Sequence, residues 1–241
     1  MNDMADGAVC GPTSCDAETG APRVLAAKQS ASLKVEIVSD AICPWCYVAK
    51  RHFESALTQL PQGVKVSVHW LPFELNPDMP VGGKDRRAYR SAKFSSWENS
   101  QKLDAEVATA GAQAGLRMRH DLMQRTPNTF NAHRLIWLAG QGGVQDTIVE
   151  ALFRAYFVEG RDVGNVDVLI DIASRGGIAH DRVQAFFAGH EGVAEVSKAA
   201  RSASQSGISG VPTFIINGQP AFSGALRAEA MLTHLLGALA A

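Results

Sequence analysis

Apolar and polar residues alternate from Lys34 to Asp40, the period-two pattern of a β-strand. The spacing then changes. Val48, Phe53, Ala56, Leu57 and Leu60 recur at near-helical intervals, which predicts a helix running to Leu60. Pro44 suits its first turn, where a missing N–H costs nothing, and Pro61 and Gly63 stop it. Alternation returns in its clearest form over Val64–Leu71, where Val64, Val66, Val68 and Trp70 interleave with Lys65, Ser67, His69 and Leu71. From residue 73 to about 207 there is no comparable strand run. Ala, Gln, Glu, Leu and Arg dominate, broken by pairs such as Gly82-Gly83 and Gly142-Gly143. This predicts about five to seven helices, near 84–96, 100–115, 130–140, 144–157, 165–174, 180–187 and 191–205. Strand character resumes at Val211–Asn217, and Asn217-Gly218 marks a two-residue hairpin. Pro220–Ser223 reads as the returning edge strand, and Arg227–Leu239 as a closing helix with Ala228, Met231, Leu232, Leu235 and Leu236 on its inner face.

The order strand, helix, strand, helical block, strand, hairpin, helix is that of an α/β thioredoxin fold. Its large α-helical insertion falls between the second strand and the strand entered through Pro212. The expected organisation is a thioredoxin-fold domain of residues 34–72 and 208–241, an inserted helical domain of 73–207, and a flexible tail of 1–33. The tail is rich in Ala, Gly, Ser, Asp and Pro and has no sustained periodicity.

Composition narrows the function. Of 241 residues 46% are hydrophobic and 20% charged, the balance of a globular chain with a sizeable core. A net charge of −1 gives no electrostatic case for nucleic acid or an acidic membrane surface, and no apolar stretch approaches the ~20 residues that span a bilayer. The first residues are acidic and broken by Gly and Pro, without the positive start and apolar run of a secretory signal, so a cytoplasmic protein is expected. In a reducing compartment, closely spaced cysteines point to redox chemistry or metal rather than to a disulfide scaffold.

Cys43-Pro44-Trp45-Cys46 follows a strand and opens a helix, and Gly210-Val211-Pro212 lies far downstream before a hairpin. The joint occurrence favours a redox dithiol over half of a zinc site, and no metal is expected. A thiol at the first turn of a helix faces unpaired N–H groups and the positive end of the helix dipole, which stabilise its thiolate. Cys43 is therefore the expected nucleophile. Cys46, one turn on and more buried, would resolve the mixed disulfide. Pro44 and Trp45 would shape and shield the dithiol. Val211 and Pro212 would offer backbone groups to an extended substrate.

These residues resemble the DsbA family of thioredoxin-fold proteins. Ser39-Asp40 leading into Cys43–Tyr47, Pro72–Pro77, Asn128–Leu135 and Phe153–Gly160 resemble its FrnE-like branch. The resemblance covers about residues 34–236. It implies the helical insertion, a cis Pro212 and a thiol–disulfide oxidoreductase acting on protein or small thiol and disulfide substrates. No cofactor is expected beyond the redox-active disulfide, with exchange with glutathione left open. The resemblance also sets Asn128 and His133 near the cleft as candidate substrate contacts, although a buried His133 serving packing is the commoner arrangement. One departure concerns the buried acid that thioredoxin and DsbA carry six residues before the first cysteine. Here that position is Ile37, and the directions of the neighbouring Glu36 and Asp40 are open. A competing reading within the superfamily is a glutathione-dependent isomerase or transferase of the kappa-class and 2-hydroxychromene-2-carboxylate isomerase type. Such proteins use Ser where Cys43 stands. Cys10 and Cys15, in the tail, are either inert or a secondary redox pair. Asp85-Arg86-Arg87 and Arg117–His120 read as solvated faces.

Overall fold

The computed structural model describes residues 32–240. A four-stranded mixed sheet in the order β2-β1-β5-β6 forms the centre. β1 (Ser32–Ser39) runs parallel to β2 (Lys65–Pro72) and antiparallel to β5 (Thr213–Ile216), which pairs in turn with β6 (Gln219–Ser223). β1 takes in Ser32 and Leu33, which composition had assigned to the tail, and Leu33 is fully buried under the sheet. Val35, Ile37 and Val38 are buried as well, as expected of a central strand covered on both faces.

α1 (Pro44–Leu57) follows β1 directly and packs beside α9 (Ala228–Ala240). It ends three residues before the predicted Leu60. There the backbone tightens into shorter bonds, Gln59 N–H to the Ala56 carbonyl and Leu60 N–H to the Leu57 carbonyl. The hairpin between β5 and β6 turns at Asn217 and Gly218, with φ of 51° and 79°, the left-handed values this turn requires.

Between β2 and β5 lie α2 (Arg86–Lys93), α3 (Trp97–Gln113), α4 (Phe130–Gln141), α5 (Gln145–Phe157), α6 (Val166–Arg175), α7 (His180–Ala188) and α8 (Val193–Gln205). Each falls close to a predicted helix. The sequence did not reveal the small ladder of β3 (Lys84–Asp85) and β4 (Arg125–Thr126), since two-residue strands carry no periodicity. Gly83 permits this ladder: its φ is 66°, and a Cβ there would lie 2.7 Å from the Thr126 carbonyl oxygen. Arg86, expected in solvent, is buried and bonds Asp104 at 2.7 Å, while Asp85 caps α2 by accepting from the Ala88 N–H.

The insertion and the sheet share one continuous hydrophobic cluster. Part of it is aromatic. Phe153 stacks on Tyr47 at 5.0 Å and meets the edge of Trp70 at 6.2 Å. α5 also covers the open edge of β2, where Gln145 exchanges hydrogen bonds with both backbone groups of Trp70. Phe153→Ala should cost about 3–5 kcal/mol of unfolding free energy, the usual loss for an emptied aromatic site, measured by chemical denaturation. A cost below about 1 kcal/mol would mean that the sheet and the insertion do not share this core.

Candidate active site

Cys43 is the residue immediately before α1, with extended φ and ψ of −86° and 109°, and Pro44 occupies the first turn. The turn is closed by the Cys43 N–H on the Asp40 carbonyl at 3.0 Å and the Cys46 N–H on the Cys43 carbonyl at 3.1 Å. No acidic side chain stands in the first turn of α1, so nothing there competes with a thiolate for the positive end of the helix. Cys43 and Cys46 are both free thiols, 3% and 1% exposed, whereas Trp45 between them is 40% exposed.

The second wall comes from the far end of the sequence. The Val211–Pro212 peptide bond is cis, and Cys43 Sγ lies 3.6 Å from the Val211 carbonyl oxygen. The loop is pinned from behind. Thr213 Oγ1 donates to the Gly210 carbonyl at 2.8 Å and also contacts Ser223 Oγ, and the Gly224 N–H donates to the Pro212 carbonyl at 2.8 Å. Sequence reading passed over Thr213, whose position directly after Pro212 was the available signal.

The surroundings of Cys46 oppose its ionisation. Burial pushes the Cys46 thiol well above its ordinary range, and the neighbouring Cys43 pushes it further. The Ser39 hydroxyl and an Asp40 backbone group act in the opposite direction without cancelling this. Ile37, at the position of the family acid, is buried and apolar. The buried carboxylate is instead Asp40, which accepts from the Leu75 N–H at 2.7 Å and the Ile42 N–H at 3.3 Å.

A cavity of about 400 Å³ opens beside the dithiol. Cys43, Pro44, Trp45 and Val211 line it together, as do Tyr89 and Arg90 of α2. Asn128 and His133, expected at the cleft, do not. Asn128 bonds the Met79 carbonyl at 2.7 Å, and its side-chain oxygen accepts from the Phe130 N–H. His133 is buried on the Phe73 carbonyl at 3.0 Å and lies 3.6 Å from Asp40. Both hold the chain around residues 73–79 in place. Pro212 is buried behind the cavity wall, and Cys10 and Cys15 lie outside the described residues. The α2 contribution went unread in the sequence, although the i, i+4 pairs Tyr89–Lys93 and Arg90–Phe94 mark one face of that helix. Among the described residues no cluster of three or more His, Cys, Asp or Glu could hold a metal ion, and no helix is long and apolar enough to cross a membrane.

The sequence matches the DSBA-like thioredoxin domain over residues 34–236. The chain belongs to that family. A probable DsbA oxidoreductase from Streptomyces coelicolor is 32% identical, with a TM-score of 0.78 over 86% of this chain and 90% of that one. The cytosolic disulfide reductase DsbM from Pseudomonas aeruginosa, solved with GSH, shares the fold at 20% identity, with a TM-score of 0.56 over 86% of this chain and 96% of its own. An uncharacterised Bacillus subtilis protein, YwbO, is 27% identical over 147 residues, 61% of this chain and 68% of YwbO. The DSBA-like fold with its helical insertion is thus established, and disulfide oxidoreductases are members of this family.

One consequence of the buried second thiol can be measured. In a Cys43→Ser variant burial still acts, so the rate of Cys46 alkylation against pH should have its midpoint above the ~8.5 of a free thiol. The unfolded chain ionises this thiol near that value. The stability that Cys46 contributes is therefore fully present below pH ~8.5 and declines as pH rises toward the higher folded pKa. A midpoint at or below ~8.5 would remove the asymmetry between the two cysteines.

Proposed function

We propose that this chain is a thiol–disulfide oxidoreductase of the FrnE-like branch, working in the cytoplasm on protein or small thiol and disulfide substrates through Cys43 and Cys46. The observation that carries this reading is the placement of Cys43 at the unpaired N-terminus of α1, 3.6 Å from the Val211 carbonyl, with Cys46 buried one turn behind it.

In the reducing direction the Cys43 thiolate attacks one sulfur of the substrate disulfide. A Cys43–substrate bond forms, and the other substrate sulfur leaves as a thiolate. Cys46 then gives up its proton and attacks Cys43 Sγ. The second substrate thiolate departs, the protein disulfide closes, and two electrons have passed to the substrate. The oxidising direction is the same sequence reversed. Val211 would orient an extended substrate across Cys43 through its backbone groups, and exposed Trp45 would cover the reacting sulfurs. The glutathione-dependent isomerase or transferase reading is weakened by Cys46, because a second thiol one turn away would attack any mixed disulfide formed at Cys43.

Cys43→Ser should abolish both disulfide reduction and thiol oxidation. Cys46→Ser should still attack substrate through Cys43 and should accumulate mixed disulfides, visible by mass spectrometry under non-reducing conditions. Full turnover by Cys46→Ser would sink the dithiol mechanism in favour of a single-thiol one.

A further inference from the structure

One edge of the central sheet is left unpaired over a short, symmetric stretch. β2 is an outermost strand. Just past it the Phe73 N–H donates to the Ser39 carbonyl at 3.0 Å, so the odd-numbered backbone groups turn inward to β1. Successive residues of a strand turn these groups to opposite sides, so the even-numbered ones turn outward. Gln145 takes the outward groups of Trp70, at 2.9 and 3.2 Å. The Val64 N–H is spent on the Pro61 carbonyl at 3.3 Å. Between these two stops lie Val66 and Val68, and no described residue bonds their outward N–H or carbonyl groups. Such an edge is a template for another strand.

A groove of about 410 Å³ runs beside this stretch. Val66 and Val68 line it with Phe53 and Leu57 of α1, and its charged lining is Lys50, Glu54, Asp146 and His69. Lys50 and Arg51 together face three carboxylates, Glu54, Asp146 and Glu150, which leaves the rim net negative. Lys65, at the start of β2, is exposed and makes no ion pair among the described residues.

We propose that β2 pairs antiparallel with β2 of a second copy of this chain, about a two-fold axis through Ser67. The free groups are symmetric about that residue, so they set the register. Val66 lies opposite Val68 of the other copy and Val68 opposite its Val66, and each pair exchanges both backbone hydrogen bonds. Lys65 falls opposite the other copy's His69. That places it one residue from Trp70, whose indole donates to the Asp146 carboxylate at 3.0 Å, so its charge meets the acidic rim. The valines form an apolar seam across the axis, flanked by Phe53 and Leu57. The stops at Val64 and Trp70 keep the ladder from running on, so the assembly closes as a dimer. Cys43 follows the end of β1, which runs parallel to β2, so the two dithiols lie at opposite ends of the joined sheet. Neither blocks the other, and the dimer does not depend on the dithiol reading above.

The test places a cysteine on the axis. Cys10, Cys15 and Cys43 are replaced by Ser and Cys46 by Ala, and Ser67→Cys is added. Facing residues that exchange no bonds have Cα atoms about 4.5 Å apart, within reach of a disulfide. Mild oxidation should therefore give a covalent dimer on a non-reducing gel. Lys65→Cys in the same background should not, since its two copies are offset by about four residues, roughly 14 Å along the strands. The unsubstituted chain should sediment as a concentration-dependent dimer. Val68→Pro removes only an outward N–H, a change tolerated at a strand edge, and should raise the dimer Kd about tenfold or more. Disulfide reduction per chain should stay unchanged in it. Lys65→Glu should raise the Kd as well. A chain that sediments as a monomer at every concentration would overturn the proposal and leave the edge to a different segment. So would equal crosslinking at Ser67→Cys and Lys65→Cys, or an unchanged Kd in Val68→Pro. The crosslinking result decides even if Val68→Pro fails to fold.

Discussion

Two thiols one helical turn apart must behave differently, and at this site the difference comes from where α1 begins. Cys43 is outside the first turn, where backbone donors lack helical partners and the helix dipole favours negative charge. Cys46 is inside it, surrounded by buried side chains that disfavour its ionised form. A shift of α1 by one residue along its axis would change both environments. The chemistry therefore depends on how firmly the start of α1 is held, and much of the surrounding structure serves that purpose.

Asp40 is the nearest restraint. Its carboxylate joins the turn before Cys43 to the chain after β2 through the Ile42 and Leu75 N–H groups, and His133 of α4 closes over it. Further along α1, buried Lys50 pairs with Glu54 on its own helix and with Asp146 and Glu150 on α5, at 3.1 and 3.3 Å for the last two. Burial alone would lower the Lys50 pKa; the surrounding carboxylates outweigh it and hold the amine charged. Tyr47 and Arg51 also reach Glu150, so one carboxylate ties three α1 side chains to the insertion. Lys50 is the fully buried member and its three carboxylate partners are partly exposed, so solvent screens the pairs and the network adds little net stability. It acts to fix the register of α1 against α5.

The sequence revealed those elements whose pattern is local. The alternation in β1 and β2, the helical block set off by its Gly pairs, the hairpin at Asn217-Gly218 and the Cys43–Cys46 turn were all readable because neighbours along the chain carry the signal. Relations between distant residues were not. Nothing local distinguishes Asp40, whose partners are 35 and 93 residues away, from an exposed aspartate. Arg86 looked like part of a charged surface run because Asp104 lies on another helix. Asn128 and His133 were placed at the cleft by resemblance alone. Their bonds to the Met79 and Phe73 carbonyls give them a different task, since a chain between β2 and α2 that lacks regular structure needs side chains to satisfy its backbone.

A division of labour within the fold follows from this arrangement. The two thiols and the Val211 carbonyl are supplied by the turn after β1, the start of α1 and the loop before β5, all parts of the thioredoxin framework. The cavity that a substrate meets is closed largely by α2, α3 and β4, which belong to the insertion. These pieces are held to one another by the Gly83 turn, the two-residue ladder and the Arg86–Asp104–Arg90 ion pairs, and to the rest of the fold through the Tyr156 hydroxyl on the Arg125 carbonyl at 3.1 Å. Side chains on α2 and α3 can thus change without moving Cys43 or Val211. In the proposed reaction the helix terminus would set the chemistry and the insertion the choice of substrate, so proteins with this framework could share a dithiol mechanism while differing in what they reduce or oxidise.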